Sequence, residues 1–208
     1  MPDTQQTDNS PDESEIIIRN KSIKNLEADR VTVQQGSVEH IKADEVTVSQ
    51  GSAQRIEAER MTLRQGGAQT VHARELSIRQ GGVVTAKANE LSLNQSGVVF
   101  VDTHNASLTN SSAGAMLAGG DVSLEQSATK AILTRGDVTM DQSGVGLLMG
   151  RNVKIGNNSG MTLVIAGRID GNVNTVFGPS ASAAFGAGFA VVFTILLWVR
   201  RRLFQGGR

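Results

Sequence analysis

From residue 16 onward the apolar positions recur on a fixed beat. Ile16, Val31, Val46, Met61, Leu76, Leu91 and Ala106 stand 15 residues apart, Val122 and Val138 each follow after 16, and Val153 after 15. Two positions beyond each start lies a second apolar residue, from Ile18, Val33 and Val48 to Met140 and Ile155, with Thr or Ser between them in most copies. Alternation with period two marks a half-buried strand. Four positions beyond each start is an amide, as in Gln35, Gln50, Gln65, Gln80, Gln95, Asn110, Gln126, Gln142 and Asn157. In the middle copies a Gly or Ser follows it, which marks a corner. Further apolar sites fall seven beyond (Val38, Ala53, Ala68, Val83), ten beyond (Ile41, Ile56, Val71) and twelve beyond (Ala43, Ala58, Ala73). Three short strands with their corners fill one copy, whereas helical repeats need about 33 residues or more. The pattern predicts an all-β fold: a single-stranded β-solenoid, or β-helix, of about ten rungs of 15–16 residues.

Stacking is expected from the columns as well. One position after each start runs a hydroxyl column, Thr32, Thr47, Thr62, Ser77, Ser92 and Ser107. Eleven after runs Glu27, Lys42, Glu57, His72, Lys87 and Asp102, and fourteen after runs Arg30, Glu45, Arg60 and Glu75. Strands one rung apart lie about 4.8 Å from each other. Alternating signs therefore attract along the rod, and the corner amides line up as stabilising ladders. Ten rungs make a rod roughly 50 Å long.

The two ends of the chain break the pattern. Residues 1–15 hold Asp3, Asp8, Asp12, Glu13 and Glu15, with no basic residue and no large aliphatic after Met1. Such a segment cannot bury enough surface to become ordered, and it has none of the features of a secretory signal. It is expected to be a disordered acidic tail, with the solenoid over residues 16–178. The expected membrane segment, 179–199, contains the uncharged run 180–199. Twenty helical residues span about 30 Å, the thickness of a bilayer's hydrocarbon core. The expected anchor is one C-terminal transmembrane α-helix carrying Phe185, Phe189, Phe193, Leu196, Leu197 and the interfacial Trp198, followed by Arg200, Arg201 and Arg202 in a basic tail at 200–208. A buried capping helix would instead need a broad apolar face on the solenoid to receive it.

Composition narrows the function classes. Lys plus Arg and Asp plus Glu both total 20, so no cationic excess points to nucleic acid. Six of the seven aromatic residues lie at or after Phe177, and the body must be built from small and branched aliphatics. There is no cysteine. His40, His72 and His104 stand nine, eleven and thirteen positions after their rung starts, in different columns, so they form no ladder of metal ligands. Asp121, Asp137 and Asp141 lie close along the rod and have the chemistry for a cation or for acid–base work, but no long loop or cluster of Arg and Lys accompanies them. No P-loop pattern occurs. Neither an enzyme nor a cofactor or metal site is expected.

What remains is the ends and flanks. Ile16, Ile17 and Ile18 open the first rung, and Ile165, Ile169 and Val173 lie in the last. Unpaired apolar edges invite end-to-end stacking, so these six residues are the expected polymer interface. The stretch 163–173, with Ile165, Gly167, Ile169, Gly171 and Val173 alternating, resembles the bactofilins, a family of polymer-forming β-helical cytoskeletal proteins. The resemblance implies filaments formed without nucleotide by joining end rungs, often at the inner face of a membrane. The expected function is a membrane-anchored scaffold whose partners are further copies of itself, the bilayer and recruited proteins. The alternative is an envelope or surface module that binds through its flank. The arginines after the span favour a cytoplasmic tail with an external rod; the lack of a signal segment favours a cytoplasmic rod, which is the orientation expected here. The flank, read as Thr, Ser and alternating charge, favours solubility over recognition.

Overall fold

A computed structural model describes residues 15–171, 174 and 175. Its strands are β1 (Glu15–Leu63), β2 (Gly66–Ile78), β3 (Gly81–Asn94), β4 (Ser96–Thr109), β5 (Ser112–Ala118), β6 (Val122–Glu125), β7 (Ala128–Thr134), β8 (Val138–Asp141), β9 (Gly144–Ile155), β10 (Gly160–Gly171) and β11 (Asn174–Thr175). All belong to one sheet and pair in parallel, coil upon coil, forming a β-solenoid of about ten turns. Each rung is bent into three walls. Residues 60–63, 66–68 and 70–73 stack on 75–78, 81–83 and 85–87 of the following rung through consecutive pairing steps. These are walls 1, 2 and 3 in chain order.

The core follows the sequence period. Val46, Val48, Ala53 and Ile56 of one rung are buried, and so are Met61, Leu63, Ala68 and Val71 of the next. Such a core is thin. Each rung supplies a few aliphatic side chains, each contributing about 1.5–3 kcal/mol when fully buried. The rungs therefore depend on their neighbours, since a single rung has no interior of its own.

The corner between walls 1 and 2 uses two backbone solutions. In the third to fifth corners of the ladder the bend falls on glycine: Gly51, Gly66 and Gly81 have φ of 154°, 138° and 154°. A Cβ on any of them would run into the carbonyl of the glycine one rung earlier. From the sixth rung the bend moves to the amide itself. Gln95, Asn110, Gln126 and Gln142 take φ of 48–50°, and the residue after each is a buried serine. Each serine hydroxyl donates to the carbonyl two residues before it, and those of Ser111, Ser127 and Ser143 accept the amide N–H of the serine one rung earlier. Ser127, for instance, bonds Glu125 at 2.7 Å and Ser111 at 3.2 Å. An apolar side chain here would leave those corner groups without partners, which explains why a polar residue is tolerated inside the wall. In the last rung the left-handed position is Asn158 (φ 51°), one residue later than the amide period places it.

The two 16-residue rungs carry their extra residue in the bend from wall 3 to wall 1, around Gly119–Gly120 and Gly136. Ala118 still pairs Thr134, and Val122 still pairs Val138. One core position departs from the apolar pattern. Thr129 occupies the column of Val98, Ala113 and Val145, and its buried hydroxyl has no hydrogen-bond partner among the described residues. Thr129→Val keeps the shape and removes an unpaired hydroxyl, so it should stabilise the rod by about 1 kcal/mol. A urea unfolding midpoint unchanged or lowered by this substitution would contradict that account.

Candidate functional site

The outward positions of wall 3 are the ninth and eleventh of each rung, and along the rod they divide into two chemistries. Through the first five rungs they are polar or charged, with Phe100 at the ninth position of the sixth, and opposite charges meet between neighbours. Lys42 Nζ sits 3.0 Å from Glu27, and Lys87 Nζ 3.5 Å from Asp102. In the adjoining bend Arg74 lies 3.0 Å from Glu59, and Arg30 3.2 Å from Glu45. The hydrogen bond and charge of Glu27 raise the pKa of Lys42 above its usual value. These pairs are solvent-exposed, so each contributes little to stability, and less in salt. At the corner the glutamines form a continuous side-chain ladder. Gln35, Gln50, Gln65 and Gln80 each donate to the amide of the next rung at 3.0–3.1 Å. The ladder breaks at Asn110 and resumes between Gln126 and Gln142.

From the seventh rung wall 3 turns apolar. Asp102 is followed in its column by Leu117, Leu133, Met149 and Ile165, all exposed; Leu133 and Ile165 show 47% and 50% of their surface. The neighbouring column runs Phe100, Ala115, Ala131, Leu147 and Leu163. This corrects the expectation that the flank is only hydroxyl and alternating charge; Val84 and Val99, in rungs five and six, are exposed beside wall 3 as well. The signal was the eleventh-position column itself, continued by steps of 15 and 16 residues.

The expected polymer residues fall in different settings. Ile18 is core at 3% exposed, Ile16 is half-buried and Ile17 points outward. At the other end Ile165 belongs to the apolar wall 3. Ile169 stacks on the buried Val153 and is 42% exposed. Val173 lies outside the described residues, as do the tail 1–14, Phe185, Phe189, Phe193, Leu196, Leu197, Trp198, Arg200, Arg201 and Arg202. Among the described residues no helix is long and apolar enough to cross a membrane.

Wall 1 carries an open groove of about 700 Å³, bordered by the hydroxyls of Ser77, Ser92 and Ser107 and by the carboxylates of Glu75, Glu90 and Asp121. Glu75 and Glu90 are direct vertical neighbours, so the sign alternation fails at that step. Two of the aspartates considered for chemistry are already engaged. Asp121 Oδ1 accepts the Asp137 amide N–H at 2.9 Å, and Asp137 Oδ1 accepts from Asn152 at 2.8 Å. They continue a column begun by Asn105, whose side-chain oxygen accepts the Asp121 N–H at 3.0 Å. These contacts tie the widened bends of the 16-residue rungs together. No group of three or more His, Asp or Glu gathers as metal ligands among the described residues.

No protein family, curated protein or solved structure matches the chain.

Proposed function

We propose that the protein is a structural scaffold, held to a membrane by residues 180–199 and assembled by stacking the end rungs of its rods, as its resemblance to bactofilins suggests. The observation that carries this reading is the core column that Ile169 continues to the end of the described rod. β10 pairs along its length with β9, but on its other side only Gly160 and Met161 are paired, with Asn174 and Thr175. The rest of β10, from Leu163 to Gly171, has no partner strand among the described residues. Ile169 there continues the core column of Val138 and Val153, so a second rod seated on this edge would extend both the hydrogen-bond ladder and the core. Parallel stacking of this kind repeats one contact without closing, which gives filaments.

Electron microscopy of the full chain in detergent tests this. Wild-type protein should form stacks longer than one rod, roughly 50 Å, and Ile169→Lys should return single rods. Ile169 is the position of choice because it is exposed, whereas a lysine at Ile18 would damage the core of its own rung. Single rods for the wild type at all concentrations would remove the stacking reading. The second reading, a surface module working through its flank, draws its support from the apolar columns of wall 3.

A further inference from the structure

We propose that wall 3 of rungs seven to ten is a lipid-contact surface, on which the C-terminal half of the rod lies along an anionic bilayer. The surface is built from Leu117, Leu133, Met149 and Ile165 in one column and Leu147 and Leu163 in the next. Four rungs at about 4.8 Å make it about 14 Å tall between the first and last side chains. Its flat pleat presents the side chains at one depth, which suits the shallow boundary of headgroups and acyl chains better than a deep pocket.

Charge decides the occupant. From residue 106 to 171 the chain has five basic residues, Lys130, Arg135, Arg151, Lys154 and Arg168, and five acidic ones, Asp121, Glu125, Asp137, Asp141 and Asp170. The acids belong to wall 1 or to the bend that joins wall 3 to it: Asp121 and Asp137 sit at that bend, Glu125 and Asp141 end strands β6 and β8, and Asp170 pairs Lys154. The edges of wall 3 carry exposed basic side chains, and the two carboxylates that share its closing bend, Asp121 and Asp137, are engaged by hydrogen bonds within the bend. Lys130 stands at the bend that opens the wall, between the paired Thr129 and Ala131, and Arg135 and Arg151 stand at the bend that closes it. All three are exposed. An apolar strip with exposed cations at its edges, and with the carboxylates of its closing bend engaged by hydrogen bonds there, matches a layer of lipid phosphates over acyl chains. A second copy fits less well. Two such walls face to face would set Lys130, Arg135 and Arg151 of each copy against each other, with the carboxylates of the bend already engaged within their own chain.

The course of the chain agrees. β11 lies on Gly160 and Met161, immediately before Leu163 and Ile165 in the rung beneath it. The chain therefore leaves the described rod beside this surface, and five residues later the uncharged run 180–199 begins. The inference uses the proposed anchor only to bring the rod to a bilayer, and the two are tested separately.

The absence of cysteine lets single cysteines carry an environment-sensitive fluorophore. The full chain, as Leu133→Cys, Ile165→Cys, Thr139→Cys or Phe193→Cys, is reconstituted in vesicles of phosphatidylcholine with phosphatidylglycerol, with circular dichroism as the check on folding. The labels at 133 and 165 should be quenched by lipid-borne doxyl groups several-fold more than the label at 139 on wall 1. Arg135→Gln with Arg151→Gln should lower the ratio of bound to unbound wall by roughly thirty-fold. Equal quenching at 133 and 139 overturns the proposal. So does a label at 133 that becomes dehydrated only with rising protein density and is never quenched by lipid, the behaviour of a contact between copies. A quenched 133 beside a water-exposed 193 keeps the surface and removes the anchor; the reverse keeps the anchor and removes the surface.

Discussion

Gly66→Ala should destabilise the rod by about 3 kcal/mol or more, far beyond the usual effect of one added methyl group. Two costs coincide at this position. Its φ of 138° lies where residues with a side chain rarely go. The new methyl would also press on the Gly51 carbonyl, a group fixed by stacking on both sides. Neither cost is easily relieved, because moving the Gly51 carbonyl disturbs a ladder that continues to Gly36. The control is Gly144→Ala. That glycine has no neighbouring atom within 4 Å of where a Cβ would stand, so alanine there should be neutral, or stabilising by up to about 1 kcal/mol through the unfolded chain. Thermal unfolding of the two variants side by side decides the matter. At this size about 3 kcal/mol corresponds to roughly 6–12 °C, and equal midpoints for both would show that the glycine corner bears no such constraint.

Leu108→Ala should have an effect of similar size by a different route. Leu108 is fully buried and stacks directly between Leu93 and Leu124. Removing its branched end leaves a cavity in a core too thin to rearrange, at a cost of about 2–5 kcal/mol. In a solenoid that loss falls on the two interfaces its rung shares with its neighbours. It also falls in the first of the 16-residue rungs. Hydrogen exchange should therefore show the rungs before 91 and after 122 opening independently in the variant, where the wild type opens them together. Protection lost only around residue 108, with distant amides still opening as one unit, would mean that the rod is more cooperative than nearest-neighbour stacking allows.

The repeat and its core were legible because alternation along a strand is a strong signal and ten copies reinforce it. Val33, Val48, Leu63 and Ile78 declare their column by spacing alone. The corners were legible only as corners. Nothing in the step from Gln80–Gly81 to Gln95–Ser96 announces that the left-handed residue shifts from the second position to the first, and Gln35, left-handed at φ 59° although Gly36 follows it, shows that the residue after the amide does not fix the choice by itself. The apolar wall 3 was missed for a related reason. Ile132–Leu133 and Leu147–Leu148–Met149 read as core runs, and only the register fixes which member faces out. That register passes through two 16-residue rungs, whose extra residue is hidden in a bend of glycines. A candidate site made of leucine and methionine also carries no chemical mark. Unlike a catalytic triad or a metal cluster, it exists only once the columns are aligned.

The one-to-one register of the 15-residue rungs also governs size. Each of the corners at Gly51, Gly66 and Gly81 meets a neighbour of the same kind, so duplicating residues 46–60 would introduce a rung that its neighbours receive as their own. The molecule's length is in this sense quantised. It can grow or shrink in increments of about 4.8 Å, each one tandem copy of coding sequence, with no change to the parts at either end. The rod is thus a spacer with a graduated scale, on which the distance between the first rung and the apolar wall is a count of copies.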